Sequence, residues 1–151
     1  MANERITEDI VRNHFKSDPL FNIIKLEEQK SNNRKANELL QKASKSGKGI
    51  GRPEFIISFP TQNSNYLIVI ECKADVSKHE SSQLNKPKDY SVDGILHYSK
   101  ILSEDFDIIG LAVSGQNEKE LKVSTFKWAK GKKEYTQEKT KNLLQINDYL
   151  K

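Results

Sequence analysis

The sequence predicts an α/β fold in which a mixed central β-sheet is flanked by helices. Two apolar runs, residues 54–59 and 66–73, are separated by a polar turn and are typical of a β-hairpin. A third run, residues 107–113, is nearly all apolar, as expected of a strand covered on both faces. Apolar residues recur at helical spacing over residues 4–16 and 90–102, before and after the hairpin.

The other elements follow from local composition. Residues 20–26 are predicted to be a short strand or extended segment, and residues 32–46 favour a helix. Residues 121–128 alternate in polarity in the manner of an edge strand, and residues 143–146 are a candidate closing element. The polar segment 75–88 is predicted to be a loop.

Length and composition limit the function classes. At 151 residues the chain is predicted to be one domain, with a core over residues 5–130 and a charged C-terminal extension over 131–151. No apolar run is long enough to span a membrane, and the start of the chain lacks a signal-peptide pattern. The single cysteine excludes an internal disulfide, which favours a cytoplasmic protein. A net charge of +4 is compatible with an anionic partner.

One triplet carries most of the functional information. The pattern E-x-K occurs three times, at residues 28–30, 71–73 and 120–122, so the pattern alone means little. Only Glu71-Cys72-Lys73 ends an apolar strand and follows a second strand that begins with Pro53-Glu54. A salt bridge on a solvated strand end is the alternative interpretation of these residues.

Strand geometry explains how these residues would act together. Side chains alternate along a strand, so Glu71 and Lys73 share one face and Cys72 lies on the other. The hairpin places Glu54 beside Glu71. Two carboxylates and the Cys72 backbone carbonyl suit Mg²⁺, a hard ion that takes oxygen ligands and keeps several waters, and Mn²⁺ is an expected substitute. Lys73 would orient an attacking water and stabilise charge on a phosphate.

The motifs resemble a known superfamily. Residues 51–57 and 67–75 are similar to motifs II and III of the PD-(D/E)xK nucleases. Residues 89–98 and 107–115 resemble one branch, the N-terminal nuclease domain of large restriction-modification polypeptides of the type I and type IIG kinds. The resemblance covers residues 5–130. It implies a restriction-endonuclease-like core, Mg²⁺ dependence, DNA cleavage and a following helicase or methyltransferase domain.

The resemblance also implies residue roles. Glu54 takes the place of the first metal-binding acid, Glu71 of the second and Lys73 of the catalytic lysine. Many members have a further acid on the first helix, for which Glu8 is the candidate. The chain departs from the family at Glu54, where Asp is usual, and this leaves a weakened or inactive nuclease open. The two other acids considered on that helix are Asp9 and Glu4.

Other polar residues surround the predicted site. Cations in the flanking loops would bind phosphates without reading sequence. Asp93 and His97 lie one helical turn apart and are candidate accessory residues. The predicted DNA-binding cations are Lys48, Arg52, Lys78, Lys86 and Lys88.

The sequence therefore predicts a Mg²⁺-dependent DNA endonuclease domain of a restriction-modification system. No segment resembles a sequence-reading element, so specificity is expected from a fused or partner specificity, methyltransferase or helicase domain. One site cuts one strand, so a double-strand break would require a homodimer or sequential nicking. Two alternatives stay open: a catalytically weak or inactive DNA-binding module, and a junction-resolving or repair nuclease.

Overall fold

The computed structural model describes residues 3–44 and 51–151. Six strands pair in sequence order into one mixed sheet with helices against it, so the predicted α/β class is confirmed. The strands are β1 (Lys25–Glu28), β2 (Phe55–Ser58), β3 (Tyr66–Lys73), β4 (Asp107–Ser114), β5 (Lys122–Trp128) and β6 (Thr136–Gln137). The helices are α1 (Glu4–Lys16), α2 (Arg34–Leu40), α3 (Ser91–Leu102) and α4 (Ile146–Tyr149). None of the helices in these two ranges combines the length and apolar character needed to cross a membrane.

The central strands determine which side chains meet. The predicted hairpin is confirmed, with β2 antiparallel to β3 from the Phe55–Ile70 pair to the Ser58–Leu67 pair. β3 and β4 are parallel, and α3 forms the crossover that a parallel pair needs. The C-terminal ends of β3 and β4 therefore lie side by side at one end of the sheet.

The sheet has a core on each face. α2 and α3 pack on one face with Leu67 and Val69 of β3, and α1 packs on the other face with Ile68 and Ile70. Cys72 belongs to the α1 face. Strand alternation therefore places Glu71 and Lys73 on the α3 face, as the sequence predicts.

Three predictions about these elements are wrong. Residues 21–23 form a single 3₁₀ turn and β1 begins only at Lys25, because the Asp18 carboxylate accepts the Leu20 N–H at 2.8 Å and turns the chain. Helix α2 spans Arg34–Leu40, capped at its start by the Asn33 side chain, and the last two residues of the predicted helix, 45 and 46, lie outside the described residues. β5 is not an edge strand.

The charged segment after residue 130 supplies the strand that covers β5. β6 pairs with β5 at Phe126–Gln137 and Lys127–Thr136. α4 then buries Ile146 and Tyr149 against the α1 face, and the Ile146 N–H donates to Asp18 at 2.8 Å. The short closing element is thus fixed to the end of α1.

Helix α3 approaches β4 closely at Gly110. A Cβ at that position would lie 2.7 Å from Ser99 Oγ and 3.1 Å from Ile95 Cγ1, so glycine allows the helix to contact the strand backbone. Ser99 is 1% exposed, and its hydroxyl has no hydrogen-bond partner among the residues that the structure describes. This contact fixes the position of α3, the helix that borders the candidate active site.

Gly110→Ala is therefore expected to lower the free energy of unfolding by about 1–3 kcal/mol through overpacking. Ser99→Ala alone should be nearly neutral or stabilising, since it removes an unsatisfied buried hydroxyl. The double variant should recover part of the loss, with a coupling energy of about 0.5–3 kcal/mol in chemical denaturation. Additive effects of the two substitutions would contradict this packing.

Candidate active site

The two predicted acids of the hairpin meet at the end of β3. Extending the β2–β3 register by one residue pairs Glu54 with Glu71. The Glu54 N–H donates to Glu71 Oε1 at 3.1 Å, and the Glu71 side chain is almost entirely buried, with 1% exposed. Glu71 therefore holds the start of β2 in place, and its charge acts on the Glu54 carboxylate.

Helix α1 adds two acids to this pair. Carboxylate oxygens of Glu4, Glu8 and Glu54 all lie within 4.8 Å of one another. Glu4 and Glu8 are one turn apart and share a helix face. Asp9 is directed elsewhere and forms an ion pair with Arg12. Of the three helix acids considered from the sequence, the structure thus brings Glu8 and Glu4 to the hairpin.

The start of α1 is fixed to the same end of the sheet. The Asn3 side chain caps the helix by accepting the Arg5 N–H at 3.0 Å. The Asn3 N–H donates to Gln116 Oε1 at 3.0 Å, and Thr7 Oγ1 donates to the Gly115 carbonyl at 2.5 Å. These bonds hold the helix beside the turn after β4.

Crowding of carboxylates changes their protonation. Burial, followed by the nearby charges of Glu71, Glu8 and Glu4, raises the pKa of Glu54 to about 8. Burial and the Glu4 carboxylate also raise the pKa of Glu8, while Arg12 acts in the opposite direction. The negative charge at this end of the sheet is therefore incompletely compensated by the protein.

Helix α3 closes the site behind Glu71. A Cβ at Gly94 would lie 2.9 Å from Glu71 Oε2 and 3.0 Å from the Pro87 carbonyl oxygen. Only glycine allows the helix, the loop and the carboxylate to approach this closely. Sequence reasoning missed Gly94, although a glycine inside an apolar helix was a usable signal.

Lys73 is held by the loop that precedes α3. Its ammonium donates to the Lys88 carbonyl at 2.8 Å. That loop is anchored by Asp93, which is 2% exposed and accepts from the Ser81 N–H at 3.1 Å, the Lys86 N–H at 2.9 Å and the Ser81 hydroxyl. Asp93 thus positions the loop rather than facing the acids directly.

The predicted cations are distributed around the site. Lys48 lies outside the described residues. Arg52 is exposed, and its backbone N–H donates to the Tyr98 hydroxyl at 3.1 Å. Lys78 is exposed with its ammonium 5.1 Å from the Tyr90 ring centre. The side chains of Lys86 and Lys88 are also exposed.

Two other residues considered from the sequence have structural contacts. His97 Nε2 is 2.8 Å from the Ala43 carbonyl oxygen, which ties α3 to the segment after α2. The Cys72 side chain is fully buried in the core on the α1 face, and burial raises the pKa of its thiol. Only the backbone of Cys72 is available to the site.

His79 forms a polar centre that sequence reasoning did not identify. It is 6% exposed, with Nδ1 2.7 Å from Ser114 Oγ and Nε2 2.8 Å from Ser124 Oγ. Burial, followed by the charge of Lys122, lowers its pKa to about 4, so the ring is neutral near pH 7. No pattern in the sequence predicts this, because the partners lie on distant strands.

Comparison with known proteins found a similar sequence within a restriction enzyme that is also a methyltransferase. It is 30% identical over 129 residues to the type II restriction enzyme and methyltransferase RM.BcgI of Heyndrickxia coagulans. The match covers 76% of this chain and 19% of that protein, so the chain spans about a fifth of the relative's length. No protein-family model matches the sequence, and no solved structure matches it.

The raised pKa of Glu54 gives a prediction for stability. Between about pH 4.5 and 8 the folded state binds more protons at Glu54 than the unfolded state, so the metal-free protein should lose stability as pH rises through this range. Glu54→Gln removes this dependence and should raise the Tm at pH 8 more than at pH 5. Thermal scans of both proteins with a chelator test this. Equal changes at both pH values would contradict it.

The role of Asp93 gives a second prediction. Asp93→Asn presents an amide N–H to buried donors and should lower the free energy of unfolding by about 1–3 kcal/mol. Hydrogen exchange of the Lys86 amide should become faster. Asp89→Asn, at an exposed acid of the same loop, is the matched control and should change stability by less than about 0.5 kcal/mol. Similar exchange in the two variants would show that Asp93 does not anchor the loop.

Proposed function

We propose that this chain is a metal-dependent nuclease domain that hydrolyses DNA phosphodiester bonds within a restriction-modification system. The observation that carries the proposal is the convergence of Glu54, Glu71 and Glu8 at the end of the sheet where Lys73 also lies. The similarity to a restriction enzyme and methyltransferase supports the same function.

The residues fit a divalent cation. Three carboxylates with oxygens within 4.8 Å of one another form a hard-oxygen donor set of the kind that Mg²⁺ and Mn²⁺ prefer. The raised pKa of Glu54 indicates negative charge that a cation would neutralise. The three carboxylates are Glu4, Glu8 and Glu54. Glu54 and Glu8 would hold the ion, with Glu71 at the end of β3, whose charge acts on Glu54, as a further carboxylate. When bound, the ion would polarise the phosphate and lower the pKa of a coordinated water.

Strand geometry supports the Cys72 carbonyl as a further ligand. The Lys73 carbonyl points toward β4, where it accepts the Gly115 N–H at 3.1 Å. Successive carbonyls point to opposite sides of a strand, so the Cys72 carbonyl points toward β2. The extended register places Pro53 opposite Cys72, and proline has no N–H to donate. This carbonyl therefore faces the acids without a partner from β2's backbone.

Lys73 would act on the water and the phosphate. The Lys88 carbonyl accepts one proton of its ammonium, which restrains a long side chain and leaves two donors. Those donors would orient the attacking water and stabilise negative charge as the P–O bond breaks. The exposed cations Arg52, Lys78, Lys86 and Lys88 would contact phosphates on either side.

The domains or subunits that would work with this chain are inferred from the similar protein. Its name combines a restriction enzyme with a methyltransferase, and this chain spans only about a fifth of its length. We infer that the domain works with a methyltransferase or specificity domain, fused or as a subunit, in the cytoplasm. A second copy would supply the cut on the other strand.

A DNA-binding module without cleavage is the second candidate. Glu54 stands where the resembling family usually has Asp, and its pKa of about 8 means that bound metal must displace a proton at neutral pH. Titration with Mn²⁺ separates the candidates, because a binding-only module should show no uptake that depends on Glu71.

The main test is nicking of supercoiled plasmid by the purified chain with Mg²⁺ or Mn²⁺. Glu71→Gln and Lys73→Met should each reduce the rate by about 10²-fold or more. Glu28→Gln and Lys30→Met are matched controls, since they alter an exposed triplet with the same spacing. Both controls should retain the rate.

Two results would overturn the proposal. Nicking that survives both site variants would come from another site or another protein. No nicking, together with no uptake of Mn²⁺, would favour the binding-only module. Preference for a branched over a linear substrate would instead indicate a junction-resolving or repair nuclease.

A further inference from the structure

We propose that a lysine cleft beside His79 binds the DNA backbone next to the phosphate that is cleaved. The lysine cleft is formed by Lys122 at the start of β5 and by Lys139 and Lys141 after β6. The proposal rests on the nuclease function above and extends its substrate-binding surface across the sheet. None of the three lysines belongs to the set predicted from the sequence.

Sheet register places the cleft in line with Lys73. Lys73 is paired with Ser114 on β4, and Ser114 is paired with Lys122 on β5. Paired residues share a face, so Lys73 and Lys122 project from the same side of the sheet. Two strand spacings separate them by about 10 Å, which corresponds to the rise of about three base pairs along the axis of a duplex.

The segment after β6 brings in the other two cations. β6 runs antiparallel to β5, and the Glu138 N–H continues the pairing by donating to the Thr125 carbonyl at 2.8 Å. The chain therefore returns toward Lys122 and places Lys139 and Lys141 across from it. The resulting open cleft has a volume of about 630 Å³.

The charge of the cleft favours an anion. All three lysines are exposed. Two acids, Glu80 and Glu138, also line the cleft, and Glu138 forms an ion pair with Lys127 at 3.5 Å. Glu80 is therefore the carboxylate that offsets the charge of the three lysines of the cleft.

The floor of the cleft is rigid and uncharged. His79 is neutral at pH 7, and hydrogen bonds to Ser114 and Ser124 hold both of its ring nitrogens. A fixed polar floor beneath exposed lysines suits a phosphate backbone, whose recognition depends on charge and not on base identity. We therefore commit to the sugar–phosphate backbone of the substrate as the occupant.

The test is the salt dependence of DNA affinity. A triple variant, Lys122→Gln, Lys139→Gln and Lys141→Gln, is compared with Lys130→Gln, Lys132→Gln and Lys133→Gln. The control lysines lie at the other end of the sheet, where the Lys130 N–H donates to Asp107 at the start of β4. Both triples change the net charge equally, and thermal scans confirm that each is folded.

Fluorescence anisotropy with a labelled duplex in chelator gives the Kd over a series of salt concentrations. The cleft variant should bind at least about tenfold more weakly at low salt, with the slope of log affinity against log salt reduced by about two to three. The control triple should keep the wild-type slope. Equal weakening of the two triples, or unchanged affinity of the cleft variant, would overturn the inference.

Plasmid nicking separates this inference from the proposed function. If the wild type nicks DNA and the cleft variant binds as tightly as the wild type, the lysine cleft is wrong while the nuclease stands. If the wild type neither binds nor nicks DNA, the nuclease is wrong and the cleft loses its substrate.

Discussion

The packing of α3 against β3 and β4 is the constraint on which the candidate site depends. The helix is the crossover of the parallel pair, so its position follows from strand order. In the first turn of α3, Gly94 contacts the Glu71 carboxylate and Asp93 anchors the loop that binds Lys73. One turn later, Tyr98 binds the Arg52 backbone. A shift of this helix would move the acids, the lysine and the basic loops together.

The site stores electrostatic repulsion that the core has to offset. Glu4, Glu8, Glu54 and Glu71 converge where β2 begins; the first three are half-buried and Glu71 is almost entirely buried, which weakens screening by water. The apolar sheet behind them, with fully buried Ile70 and Cys72, holds the strand end in place despite this repulsion. This repulsion lowers the stability of the protein without a bound cation, and the same carboxylates would be the ligands in the proposed metal site.

Local patterns were sufficient for the centre of the fold. The hairpin, the alternation that puts Glu71 and Lys73 on one face, and the span of α1 all depend on near neighbours in the sequence. The predicted start of the strand near residue 20 was wrong because the Asp18 side chain turns the chain, and a pattern of apolar residues does not reveal such a hydrogen bond. The prediction that β5 is an edge strand was wrong because β6, which pairs with it, has only two residues and therefore almost no sequence pattern.

The site residues also divide into those that local sequence patterns predict and those that depend on distant contacts. Glu54 and Glu71 follow from the hairpin, and Glu8 follows from the family resemblance alone. The anchoring role of Asp93 depends on hydrogen bonds from residues 81 and 86, which a single sequence does not reveal. The lysine cleft depends on three strand pairings and on a segment that composition alone marks only as charged.

The resembling nuclease family usually has Asp where this chain has Glu54, and the position of the Glu54 carboxylate shows what the longer side chain contacts. Glu54 is the last residue before β2, and its side chain lies near acids of both α1 and β3. Its oxygens meet Glu4 and Glu8 within 4.8 Å, while its own N–H stays bound to Glu71 at 3.1 Å. The longer side chain thus brings its carboxylate to the two acids of the helix, while Glu71 stays behind it at the end of β3. This geometry supports the proposed metal site over the binding-only module.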